Sequence, residues 1–140
     1  MMVMIKKQND MKRFFTCLLA AIGLTTACSQ TNYENTDTTG FAALIAQPEV
    51  VVLDVRTADE FKEGHIAHAL LIDYKGNDFV EKAQATLPKD KTIAVYCRSG
   101  RRSALAAELL VEKGYKVVNL KGGILAWMEA QLPVTQAAEQ

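Results

Sequence analysis

The chain has no surplus of charge of either sign: sixteen basic side chains are matched by sixteen acidic ones over 140 residues. That balance excludes the electrostatic footprint of a nucleic-acid binder, an acidic tail or a disordered polyelectrolyte. Cysteine and histidine are scarce, at three and two residues, so a four-ligand zinc site has little to draw on. No apolar run reaches the ~20 residues that span a bilayer, and no internal repeat or low-complexity tract interrupts the chain. What remains is a sequence that is 49% hydrophobic, enough for one compact domain with its own core and too little for two.

The charge balance conceals an asymmetry. Residues 1–28 hold Lys6, Lys7, Lys12 and Arg13 against Asp10 alone, so twelve basic and fifteen acidic groups remain beyond them, a net charge of −3. Lys12 and Arg13 precede an eleven-residue apolar run, Phe14 to Leu24, and then Thr25, Thr26, Ala27 and Cys28. A basic, then apolar, then small-residue order is that of an export signal, with Met1 or Met11 as its start, and the flanking charge argues against a short buried helix. The stretch resembles a bacterial lipoprotein signal, which implies lipidation of Cys28 as the first mature residue. It departs from that pattern at Thr25, where Leu is usual, and simple cleavage after Ala27 stays open. Acylation would remove the liability of an exposed thiol in an oxidising compartment. The expected organisation is an export signal over residues 1–28, a polar tether over 29–39, a domain over 40–135 and a tail over 136–140. The domain is then expected on the periplasmic side of a bacterial membrane, held by a lipid anchor.

Cys17 leaves with the signal and Cys28 is terminal, so Cys97 is alone in the domain and no internal disulfide can form. The domain pattern alternates strands and helices. Phe41–Ala46 reads as a short helix closed by Pro48, and Val50–Val55 as a buried parallel strand. Thr57-Ala58-Asp59-Glu60 spells a capping box for a helix to Gly64. Ala69–Ile72 and Ile93–Cys97 are strands separated by a helix over Asn77–Leu87. Ser103–Lys113 repeats its apolar residues at three and four, with Gly114 at its C-terminal cap. Lys116–Leu120 is a strand and Ile124–Leu132 a last helix, entered through Gly122-Gly123. The fold class is therefore α/β, a small parallel sheet with helices on both faces.

In such sheets the reactive pocket lies beyond the carboxyl ends of the strands, where Cys97 sits. Arg98-Ser99-Gly100-Arg101-Arg102 then links the strand tightly to the Ser103 helix, whose free N–H groups and dipole favour an anion. A free thiol has a pKa near ~8.5, and helix N-termini with nearby cations lower it to ~3.5–7.5. Three arginines around one loop oppose the dipole at about 0.3–1 kcal/mol each unless an anion neutralises them. Guanidinium forks match an oxyanion delivered to the sulfur. An isolated cysteine on an apolar strand would be core; this combination argues against that reading.

Cys97-Arg98-Ser99-Gly100-Arg101-Arg102-Ser103 resembles the active-site loop of single-domain rhodaneses, the thiosulfate sulfurtransferases. Leu53-Asp54-Val55-Arg56, Glu60-Phe61 and Gly64-His65-Ile66 are similar to that family's first signature. Gly122-Gly123-Ile124, Ala126-Trp127 and Leu132-Pro133-Val134 are similar to its last. The resemblance spans about Gly40 to Thr135. It implies that Cys97 attacks the outer sulfur of thiosulfate or a similar small anionic donor, releases sulfite, and passes the sulfur from a persulfide to cyanide or a thiol. It also implies that the amides of Arg98 to Ser103 cradle the terminal sulfur while Arg98, Arg101 and Arg102 orient the donor, with Arg102 the first choice to point inward. No cofactor or metal is called for.

Two other readings compete. Cysteine phosphatases use C-x5-R, whereas Cys97 to Arg102 gives the shorter C-x4-R, which favours sulfur over phosphoryl transfer. A persulfide carrier or redox-sensing module with little turnover would need the same Cys97, because fold alone does not settle activity. The resemblance gives Asp54, Arg56 and Glu60 a structural role, as it does His65 in the Gly64 turn. His68 stands where a small residue, often Gly, is common. Trp127 and Tyr96 are expected to fill space.

Overall fold

The computed structural model describes residues 32–136. The expected export signal, Cys17, Cys28, the first residues of the expected tether and all but Gln136 of the tail lie outside the described residues. Five strands form one parallel sheet in the order β1-β5-β4-β2-β3: β1 Glu34–Thr36, β2 Val50–Asp54, β3 Leu70–Leu71, β4 Thr92–Tyr96 and β5 Lys116–Leu120. The helices are α1 Thr38–Ile45, α2 Ala58–Glu63, α3 Phe79–Thr86, α4 Arg101–Glu112 and α5 Gly123–Glu129. β4 lies at the centre, paired in parallel with β2 on one side and β5 on the other.

Side chains alternate across the central strands, as the pleat requires. Ile93, Val95 and Cys97 enter the core beneath α3 and α4, with Phe79, Ala83, Ala106 and Leu110. Ala94 and Tyr96 face the other way, toward Phe41 of α1 and Ile124 and Trp127 of α5. Burial on both faces explains why these strands read as unbroken apolar runs. Phe41 meets both Tyr96 and Trp127 edge-on, at centroid distances of 6.4 and 6.1 Å.

Several boundaries differ from the expectation, among them the end of α5, at Glu129 rather than Leu132. β1 lies inside the segment expected to be a polar tether: Glu34, Asn35 and Thr36 pair with Val118, Asn119 and Leu120. A three-residue polar edge strand, mostly exposed, has no apolar alternation to announce it. Asp37 then caps α1, accepting from the Gly40 N–H at 2.8 Å, so the ordered fold begins before Gly40. α4 begins at Arg101 rather than Ser103, since Gly100, at φ 96°, turns the chain directly into the helix. The capping box on α2 forms as expected, with the Thr57 hydroxyl accepting from the Glu60 N–H at 3.3 Å and the Glu60 carboxylate accepting in return from the Thr57 N–H at 3.4 Å.

Candidate active site

Cys97 leaves β4 at its carboxyl end, and the chain turns at once into α4, so the sulfur sits between a strand end and a helix start. The Gly100 N–H donates to Cys97 Sγ at 3.1 Å, and the Ser103 hydroxyl donates to it at 3.4 Å. Both donors lie where the helix dipole is positive, so the sulfur occupies a position built for negative charge.

The start of α5 holds the other side of the loop. The Ile124 N–H donates to the Cys97 carbonyl at 2.9 Å and the Leu125 N–H to the Arg98 carbonyl at 3.2 Å. In a trans peptide the C=O and N–H point in opposite directions. Aiming these two carbonyls at α5 therefore turns the N–H groups of Arg98 and Ser99 away from it. Gly123 makes this approach feasible: at φ 61°, a Cβ there would overlap the carbonyls of Arg98 and Cys97.

The three arginines divide into two kinds. Arg102, expected to turn inward toward a donor, instead forks onto Glu60, with Nη1 at 2.8 Å from Oε1 and Nη2 at 2.9 Å from Oε2. Its counter-anion is thus supplied by α2. Glu60 is held down to about 2 by the Arg102 fork, against the opposing effect of burial, with further help from the Thr57 N–H. Arg102 is correspondingly raised, first by its hydrogen bonds to Glu60. Arg98 and Arg101 are exposed, and their guanidinium groups have no ion-pair or hydrogen-bonded partner among the described residues. They are the two guanidinium groups left to meet a bound oxyanion.

Asp54 and Arg56 form a second fork beneath the loop, with Arg56 Nη2 at 2.6 Å and Nε at 3.0 Å from Asp54 Oδ2 and Nε at 2.9 Å from Oδ1. Arg56 also donates to the Gly64 carbonyl at 2.8 Å, tying β2 to the turn after α2. Burial works against the Arg56 charge, but the hydrogen bonds and charge of Asp54 outweigh it and raise the group. Tyr96 is raised as well, chiefly by burial, then by the charge of Asp54. Its hydroxyl accepts from the Ile66 N–H at 3.0 Å, and its ring lies under Arg56 at 5.6 Å. His65 stacks on Phe61 at 3.6 Å and donates from Nδ1 to the Phe61 carbonyl at 2.9 Å, while its backbone bridges Thr135.

Cys97 has a relative exposure of 0%. The Gly100 N–H and Ser103 hydroxyl that bond the sulfur leave it buried at the end of β4. Beside it lies a cavity of about 270 Å³ that Arg98, Glu60 and Arg56 line together with Ile124, Leu125 and Met128. The apolar wall contributed by α5 is not legible in the sequence. Nor does the sequence point to Asn119, which lies on β5, 3% exposed, its amide donating to Asn35 Oδ1 at 3.0 Å and to the Gly100 carbonyl at 3.5 Å.

A rhodanese-like domain model matches residues 37–130. A sulfurtransferase of Allochromatium vinosum is 38% identical over 87 residues, covering 61% of this chain and 78% of that protein. The thiosulfate sulfurtransferase GlpE of Coxiella burnetii is 38% identical over 96 residues, covering 67% and 85%. Among solved structures, a rhodanese-related protein of Thermoplasma volcanium superposes with a TM-score of 0.67 at 32% identity, covering 75% of this chain and all of that one. The Anabaena Alr3790 rhodanese-like domain superposes with a TM-score of 0.66 at 28% identity, covering 74% and 79%. With the cysteine loop, the two clamping helices and this span of similarity in agreement, the chain belongs to the rhodanese-like domain family.

Proposed function

We propose that the domain is a sulfurtransferase that carries sulfane sulfur on Cys97, taking it from thiosulfate or a similar small anion and giving it to cyanide or a thiol. The observation behind this reading is the pair of donors on Cys97 Sγ, the Gly100 N–H and the Ser103 hydroxyl, at the start of a twelve-residue helix. The Cys97 sulfur attacks the outer sulfur of thiosulfate, an S–S bond forms, the bond to the sulfonate sulfur breaks, and sulfite leaves with the electron pair. The persulfide is then attacked by the acceptor, and Cys97 returns to its starting state. Arg98 and Arg101 draw in the donor's oxygens. Mass spectrometry of protein treated with thiosulfate tests the reading. The peptide containing Cys97 is expected to gain one sulfur atom that cyanide removes; no gain, or an equal gain in Cys97→Ser, refutes it.

The burial of Cys97 supports a second reading, a slow carrier or redox-sensing module, since a thiol with 0% exposure is poorly accessible to free thiosulfate. Thiocyanate formation separates the two: sustained turnover marks the enzyme, and stoichiometric transfer only to a partner thiol marks the carrier. The proposal also places the domain on the periplasmic side of a bacterial membrane, with Cys28 acylated. The order of charge and hydrophobicity over residues 12–28 supports this. Labelling with a radioactive fatty acid, lost in Cys28→Ser, is the expected result; unchanged labelling refutes it.

A further inference from the structure

Asn119 is out of place in its layer. Val117 packs with Val95 and Cys97 beneath α3 and α4, and alternation along β5 puts Asn119 on that same apolar side, 3% exposed. A buried amide costs stability unless its polar atoms are paired, and here the pairing is incomplete: Asn119 Oδ1 has no hydrogen-bonded partner among the described residues. Its Nδ2 donates to Asn35 Oδ1 on β1 at 3.0 Å and reaches the Gly100 carbonyl at 3.5 Å. Neither acceptor needs it. Asn35 is exposed to water, and the Gly100 carbonyl already accepts from the Ala104 N–H at 3.2 Å. An apolar side chain of the same size would serve the fold better, so the amide answers to another requirement.

Gly100 supplies that requirement. Its N–H is the donor 3.1 Å from Cys97 Sγ, yet a glycine at φ 96° and ψ −6° has no side chain of its own to hold that conformation. The Asn119 amide grips the same residue through its carbonyl, and Asn35, its register partner across β1 and β5, keeps the amide aimed there. We propose that Asn119, braced by Asn35, is a positioning residue for the cysteine loop: it holds Gly100 so that the N–H stays on Cys97 Sγ while sulfur is taken up. The 3.5 Å reach is long for a hydrogen bond, so the brace from β1 counts as much as the contact itself. The inference rests on the proposed sulfur chemistry at Cys97 and gives the polar edge strand β1 a part in it.

The test compares the full wild-type chain with Asn119→Leu, Asn35→Ala and Asn35→Asp. It reads Tm, the Gly100 amide resonance in protein carrying isotope-labelled glycine, and the rate of sulfur loading of Cys97 over a range of thiosulfate concentrations. Asn119→Leu is expected to keep or raise Tm and to move the Gly100 amide proton to lower frequency. It is also expected to cut the saturating loading rate about tenfold, with the half-saturating thiosulfate concentration unchanged because Arg98 and Arg101 still meet the donor. Asn35→Ala, at an exposed position that folding tolerates, moves resonance and rate the same way by less. Asn35→Asp, which returns an acceptor opposite Asn119, recovers most of that loss. Loading unchanged in Asn119→Leu and Asn35→Ala overturns the inference, as does a loss of loading that merely follows a fall in Tm. Should Asn119→Leu not fold, the two Asn35 variants decide alone. Should thiosulfate fail to load the wild type, the sulfurtransferase reading falls instead, and the Gly100 resonance in the variants still decides whether Asn119 holds that N–H on the sulfur.

Discussion

Replacing Glu60 by Gln isolates the charge that ties α2 to the cysteine loop. Glutamine at the third position of a helix keeps the reciprocal bonds of a capping box, so the Thr57 cap survives while the anion opposite Arg102 is lost. The fork holds Glu60 at about 2 against an ordinary 4.5. That difference would correspond to about 3 kcal/mol if fully expressed; with the two side chains 21 and 25% exposed, solvent screening reduces it to about 1 kcal/mol. The sign follows from the depressed pKa: the stabilisation is present in full above about 4.5 and is lost as pH falls toward about 2. Urea unfolding of wild type and Glu60→Gln at pH 7 and again near pH 2 is the assay. Wild type is expected to lead by about 1 kcal/mol at neutral pH and by little at the acid end. A gap that stays constant across that range, or grows in acid, refutes the assignment of the ion pair as the source.

Other substitutions probe the remaining supports. Gly123→Ala drives a methyl group into the carbonyls of Arg98 and Cys97, so it is expected to displace the loop, cut sulfur loading of Cys97 by at least tenfold and lower Tm; unchanged loading in a peptide-level mass measurement contradicts the close approach. Asp54→Ala leaves the Arg56 charge buried without its partner and is expected to cost about 3–5 kcal/mol in urea unfolding; a loss below about 1 kcal/mol would mean the fork is not load-sharing. His68 has φ 64°, and His68→Gly is expected to raise stability by up to about 1 kcal/mol through relief of left-handed strain; a lower Tm would show that contacts of the imidazole outweigh the strain.

Much of the fold could be read because both faces of the sheet are covered. Val50–Asp54 and Thr92–Tyr96 stand out as apolar runs only since α1 and α5 lie on one side and α3 and α4 on the other. The α2 boundary was legible to the residue from Thr57 and Glu60, because a capping box is a local device. β1 was not, since its pairing with β5 joins residues 84 apart through backbone atoms and the Asn35–Asn119 amides. The loop's membership could be read from Cys97 to Ser103, but the fate of each arginine could not. Arg102 meets Glu60 across 42 residues, so spacing within the loop says nothing about it. His68 shows the converse: a residue that departs from the usual glycine keeps the glycine's backbone conformation.

The enclosed position of Cys97 has a bearing on chemical lifetime. Peroxide reaches a thiol by the same route as thiosulfate, and a sulfur wrapped by Gly100 and Ser103 is screened from both. On the proposed sulfur-transfer chemistry, oxidation to sulfinic acid and turnover both depend on access to this one buried thiol. A replacement that opens a path to the sulfur exposes it to both.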